Sequence, residues 1–185
     1  MCGRYALYAE GNEELREILD RTEGKYKTGE IFPTDKAPIL VQKNGGIRPV
    51  AVSWGFPAFK GKGVIINARA ETVLEKPLFR NCLAERRCVI PSSGFYEWSH
   101  SGEKIKYQFH LPQASILYMA GLYQVFDGIE RFVILTTAAN RSMEDIHNRM
   151  PVVLDSSAKK QWLLEPTAIG TLLAAAPPEL AKAPA

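Results

Sequence analysis

The chain has 185 residues, 46% hydrophobic and 23% charged, enough for one compact domain with a core that needs no covalent staples. Its formal charge of +3 permits a nucleic-acid partner without demanding one and leaves any such contact to a local arginine cluster. Cys2, Cys82 and Cys88 form an odd set without C-x-x-C spacing and lie far in sequence from the three histidines, so neither a disulfide framework nor a metal site is expected, and no cofactor.

Taken in order, "CGRYALY" at 2–8 alternates like a short strand. Asn12 caps a predicted helix over 13–21, with acidic residues in its first turn and Arg21 near its end. The run 37–56 reads as two β-rich segments joined by "NGG", a hairpin signal. "GKG" at 61–63 lacks the glycine spacing of a phosphate loop and reads as a turn into a strand. Pro77 marks the start of a helix through "PLFRNCLAERR". From 88 to 137 the chain is strand after strand, separated by turn clusters such as "HSGE" and "DG". "NRSMEDIHN" at 140–148 predicts a short helix capped by Asn140 or Ser142 and closed before Pro151. "VVL" is a strand, and Asp155 caps a last amphipathic helix over 156–164. The pattern predicts an α+β fold of curled antiparallel sheets with peripheral helices. It occupies residues 1–165 as a single domain, and the Ala/Pro-rich tail 166–185 is expected to be loosely ordered. With no membrane-length apolar run and no basic leader or signal region, a cytoplasmic protein without a membrane partner is expected. No long apolar surface stripe is evident, so a monomer is expected too.

Chemistry is suggested by polar residues set among apolar ones. If Met1 is removed, Cys2 carries both a thiol and a free α-amine, with ordinary pKa values of about 8.5 and about 8, so a useful share of each is reactive at neutral pH. An arbitrary terminal cysteine is the plainer reading of that position alone. In "GFYEW" strand alternation sets Glu97 on the side of Phe95, where a carboxylate loses hydration; a proton shuttle or a salt bridge with an arginine would each explain it. Asn67 ends an Ile-Ile run, where an unpartnered amide would cost about 1–3 kcal/mol; it suits either a hydrogen bond to a backbone or substrate group or a strand-end turn. Arg69 points the same way if the strand continues, which suits a phosphate. His147 sits where a helix must yield to proline, and can serve acid–base work or packing. His100 in a turn and His110 in a strand are assigned no role, and Cys82, Cys88, Trp54, Trp98 and Trp162 are assigned to packing.

"MCGRY", "INARAET", "RRCVIPSSGFYEW", "TTAAN" and "HNRMP", in this order over residues 1 to 154, closely resemble the SRAP family, the SOS-response-associated peptidases or abasic-site-processing proteins. The resemblance implies a barrel-like core and a covalent sensor of abasic sites in single-stranded DNA. Its terminal cysteine forms a thiazolidine with the ring-opened sugar aldehyde after self-catalysed removal of Met1. It implies lyase-like chemistry, an autopeptidase activity and association with the nucleoid during DNA damage. Residue by residue it assigns Cys2 as nucleophile, Asn67 to orient the amine or opened sugar, Glu97 to shuttle protons, and His147 to assist sugar opening or imine formation and reversal. Arg4, Arg69 and Arg149 become phosphate contacts, Pro33 in "IFPTDK" a wedge that unstacks the DNA, and Thr136 an added backbone contact, with Phe59 a looser match to a stacking partner. The divergence lies in the tail, where closing strands of relatives give way to "AAAPPELAKAPA". The alternatives are a cysteine peptidase with an N-terminal nucleophile, using the same Cys2, Glu97 and His147, and a noncovalent binder of modified bases, which has no use for a second-position cysteine.

Overall fold

Two dipeptides with left-handed backbone, Asn44–Gly45 (φ 51° and 76°) and Asp127–Gly128 (φ 49° and 78°), close the two long hairpins on which the fold is built. The computed structural model describes residues 2–59, 61–100 and 102–185; Met1, and with it the expected removal of that residue, lies outside them. In chain order the first elements are β1 (Tyr5–Leu7), α1 (Glu13–Asp20), β2 (Gly29–Ile31), β3 (Lys36–Lys43), β4 (Gly46–Trp54), β5 (Phe56–Pro57), β6 (Val64–Ile65) and β7 (Asn67–Arg69). Next come α2 (Pro77–Glu85), β8 (Arg87–Ser92), β9 (Gly94–Trp98), β10 (Lys106–His110), β11 (Leu117–Phe126) and β12 (Ile129–Ala138). β13 (Arg149–Pro151), β14 (Val153–Leu154), α3 (Ser156–Leu164), α4 (Ile169–Ala174) and β15 (Ala181–Pro184) complete the chain.

The circuit β12–β4–β3–β8–β11 returns to β12 as a closed five-stranded barrel. Its ladders are antiparallel except the seam between β12 and β4, which is parallel (Arg131↔Ser53, Phe132↔Trp54). The α+β class with curled sheets and outlying helices is therefore what the chain adopts, with a parallel seam that the turn signals alone do not reveal. A second sheet, in the order β15-β10-β9-β1-β2, lies outside the barrel. The segment 87–98 forms two strands, because the chain changes sheets at Ser93–Gly94. Gly94 adopts φ 141°, and a Cβ there would stand 2.5 Å from the Phe109 carbonyl oxygen, so only glycine lets β9 lie this close to β10.

Tyr5 of the outer sheet packs on Trp54 of the barrel with ring centroids 5.2 Å apart, and Trp54 stacks on Phe132 at 6.2 Å. All three are fully buried, and each such side chain stabilises by about 1.5–3 kcal/mol or more. The helices are capped as the sequence predicts. Asn12 Oδ1 accepts the Leu15 N–H at 2.9 Å, and Asp155 accepts the Ser157 and Ala158 N–H groups at 2.8 Å. Arg87 is buried with no carboxylate partner among the described residues. Its guanidinium donates to the Leu83 and Ala84 carbonyls at the end of α2 and to those of Trp162 and Leu163 at the end of α3, joining two helix C-termini.

Two expectations change. Residues 141–146 form successive turns rather than a helix: Asn140 O accepts from Glu144 N at 3.0 Å and Met143 O from His147 N at 3.0 Å, but the stretch before Pro151 is too short for propagation to follow nucleation. The tail is not loose. It forms a short 3₁₀ turn, α4 and then β15, which pairs antiparallel with β10 from His110↔Ala181 to Tyr107↔Pro184. Main-chain pairing, to which an Ala/Pro composition gives no clue, holds it. Among the described residues, no helix is long and apolar enough to cross a membrane.

Candidate active site

β12 changes neighbours along its length, and this places the site. After Phe132 the β4 edge gives way to β7 (Ile134↔Asn67, Leu135↔Ala68, Thr136↔Arg69), and beyond Ile134 the β11 edge gives way to β13 (Thr136↔Pro151, Ala138↔Arg149). The end of β12 thus carries Asn67 and Arg69 on one flank and Arg149 on the other. From the outer sheet, β1 and β9 pair through Tyr5↔Phe95 and Ala6↔Gly94, aligning the segment with Cys2 and Arg4 beside the strand bearing Glu97.

Cys2 is 1% exposed, and its carbonyl accepts from Asn67 Nδ2 at 3.2 Å. Its thiol points to the Arg4 carbonyl at 3.9 Å. Burial above all, and then the negative charge of Glu97, push the thiol pKa far up, so at neutral pH it remains S–H. Asn67 Oδ1 is buried and has no partner among the described residues. Glu97 is 5% exposed, and its charge reaches His147 as well as Cys2. Burial holds the His147 pKa below its ordinary value, and Glu97 opposes that shift in part. The Arg149 N–H donates to His147 Nδ1 at 2.9 Å, which places the neutral ring's proton on Nε2. Asn67, Cys2, Glu97 and His147, 145 positions apart at the extremes, therefore form one connected group.

A depression of about 460 Å³ opens beside it, lined by Arg69, His147, Asn148 and Arg149. Arg69 is exposed and has no ion pair among the described residues. Arg149 is gripped on both forks: Glu71 accepts from its terminal nitrogens at 2.6 and 2.9 Å, and the Thr136 carbonyl and hydroxyl accept at 2.6 and 3.2 Å. That hydrogen bonding lowers the Glu71 carboxyl from 4.5 to about 2. Thr136 is itself fully buried, so it faces outward only through Arg149. Arg4 pairs with Glu30 at 3.2 Å and lies over Phe32 at 4.1 Å and Trp98 at 4.8 Å. Pro33 is half-buried in the turn next to Phe32, where Asp35 accepts the Phe32 N–H at 2.8 Å. Phe59 is 81% exposed.

Four participants escape a sequence reading. Glu71 and Glu30 belong to ion pairs that close across 78 and 26 residues and leave no local pattern. Trp98 supports Arg4 instead of serving only as packing. His100, set aside as a turn residue, has its ring centroid 5.3 Å from that of His147. Among the described residues no three His, Cys, Asp or Glu side chains are placed to hold a metal ion.

Fold and site together define an α+β barrel protein with a buried cysteine at its second position, backed by an amide, a carboxylate and an imidazole. The chain belongs to the SOS response associated peptidase (SRAP) family, whose model matches residues 1–183. It is 35% identical over 179 residues to the Bacillus subtilis abasic site processing protein YoqW, a match covering 88% of this chain and 80% of that protein. It is 28% identical over 180 residues to the Escherichia coli abasic site processing protein YedK, covering 88% and 79% respectively. A solved Bordetella bronchiseptica structure shares the fold with a TM-score of 0.82, covering 100% of this chain and 99% of that one at 24% identity.

Proposed function

We propose that this protein processes abasic sites in single-stranded DNA by trapping the ring-opened sugar aldehyde on Cys2 after self-catalysed removal of Met1. The supporting observation is the placement of Cys2: second in the chain, buried, held through its carbonyl by Asn67, with its thiol in the field of Glu97. The α-amine adds to the aldehyde carbon, and the carbinolamine loses water to become an imine. The thiol then adds to the same carbon, closing a five-membered thiazolidine as its proton passes through Glu97 to the ring nitrogen; aldehyde and aminothiol thus give ring and one water. Intramolecular closure makes the adduct more persistent than a simple imine. His147, whose neutral form burial favours, serves sugar opening and imine formation or reversal.

The curated relatives' name, abasic site processing protein, supports this substrate class. Arg4, Arg69 and Arg149 are suited to phosphates, Pro33 with Phe32 to the base beside the lesion, and Phe59 to stacking. A peptidase acting on external substrates is less well supported. It needs a thiolate, and here burial and Glu97 both push the thiol the other way.

The test is a denaturing gel of purified protein with single-stranded DNA carrying an abasic site, followed by intact mass. The expected product survives heating in detergent and weighs the Met1-less chain plus DNA less one water. It is absent for Cys2→Ala and for protein with an extra residue before Cys2. An adduct that persists in both variants would falsify the thiazolidine route.

A further inference from the structure

Cys2, Asn67 and Glu97 sit on or beside strands, but His147 sits at the end of a run of turns. Within those turns Asn140 Oδ1 accepts from Ser142 N and Oγ at 3.1 and 2.6 Å, and Met143 O accepts the His147 N–H. The chain's last residues grip this segment at several points. Asn140 Nδ2 donates to the Pro177 and Pro178 carbonyls at 3.0 and 2.9 Å. The Leu180 N–H donates to Ser142 Oγ at 3.1 Å, and Lys182 pairs with Asp145. Arg141 also pairs with Glu179 at 3.0 Å, an exposed contact of little weight. Leu180 is buried, as are Met143 and Ile146 in the turns.

The same residues run on into β15, which pairs with β10, and β10 pairs with β9 in the register Tyr107↔Glu97. Tyr107 is opposite Pro184 on one side and Glu97 on the other. One continuous segment therefore ties the turns that carry His147 to the sheet that carries Glu97. We propose that Pro177–Lys182 is a positioning strap for His147, fastened at Asn140, and that it sets the placement of the imidazole relative to Glu97. The kinetic consequence rests on the proposed function; the fastening itself does not.

His147 is faced by Glu97 from β9, by His100 from the following loop, and by the Arg69 and Arg149 side chains that line the same depression. Glu144 and Asp145 lie in its own turns, and Lys182 reaches Asp145 from the strap. Loosening the strap frees Lys182 from Asp145, leaves the other charges in place and lets the ring leave its half-buried position.

The experiment uses the full chain. Asn140→Asp keeps the oxygen that holds Ser142 and sets a carboxylate oxygen against the two proline carbonyls, while Asn140→Ala breaks the fastening without adding charge. The first reading is the His147 midpoint from an NMR titration, with thermal unfolding to confirm the fold. Both variants should raise the His147 midpoint toward its ordinary value. The second reading is adduct formation with abasic single-stranded DNA, expected to slow at least about tenfold, since an ångström of misplacement at a reacting group costs up to about a hundredfold. That loss should vanish in a His147→Ala background. An unchanged midpoint in both variants, or an equal loss of rate with and without His147, would overturn the strap. Absence of any adduct from the wild-type chain would refute the proposed function, while the titration would still decide the strap.

Discussion

Arg87 and Arg149 are both largely withdrawn from water, but one is held by main-chain carbonyls alone and the other by Thr136 together with a carboxylate that faces solvent. Arg87 opens the barrel strand β8, with the ends of α2 and α3 as its partners. Those partners belong to helices and cannot be exchanged. Arg149 lies on the wall of the depression beside His147, and its partner Glu71 is 46% exposed. An incoming anion can compete with such a carboxylate, because a half-exposed ion pair is worth at most about 1 kcal/mol. The residue type is the same in both regions. What separates a staple from an exchangeable ion pair is whether its counterpart can be displaced.

The largest expected effect breaks the staple. Arg87→Ala strands several buried carbonyls and should lower stability in urea denaturation by on the order of 3 kcal/mol; a loss under about 1 kcal/mol would place Arg87 with the exchangeable arginines. Arg149→Ala should invert the pattern. Stability should fall by less than for Arg87→Ala, on the order of 1–2 kcal/mol, because the Glu71 pair is weak and Thr136 loses a donor, while capture of abasic single strands weakens and the slope of log affinity against log salt falls by about 1. An unchanged slope would remove Arg149 from the phosphate contacts. The smallest effect is acid dependence. Glu71 has a pKa depressed from 4.5 to about 2, so the stability it contributes is present above 4.5 and disappears as pH falls through about 2. Glu71→Gln should therefore differ from wild type near neutral pH and converge with it in acid; a constant gap would mean the carboxylate is not held by Arg149 in solution.

Local chemistry was the legible part of this fold. Asn12 and Asp155 act through hydrogen bonds to their own next few residues, and Asn44–Gly45 closes its turn without help, so short windows sufficed. Pairings across distance were not legible. Nothing near Trp54 indicates that β4 meets β12 in parallel, and nothing in "PPELAKAP" indicates that its carbonyls seat Asn140. The site shows the same division. Cys2, Asn67, Glu97 and His147 stand out as polar groups in apolar surroundings, whereas Glu71 and His100 look like ordinary surface residues until the fold sets them against Arg149 and His147.

The seclusion of Cys2 has a consequence for a cell under oxidative stress. Peroxides and small electrophiles attack thiolates that solvent can reach, and this sulfur is neither ionised nor accessible. Under the proposed function Cys2 must stay reduced, and burial shields it until a reactant is steered into the cleft. A protein that traps aldehydes on this sulfur would then wait in a damaging environment without losing its thiol.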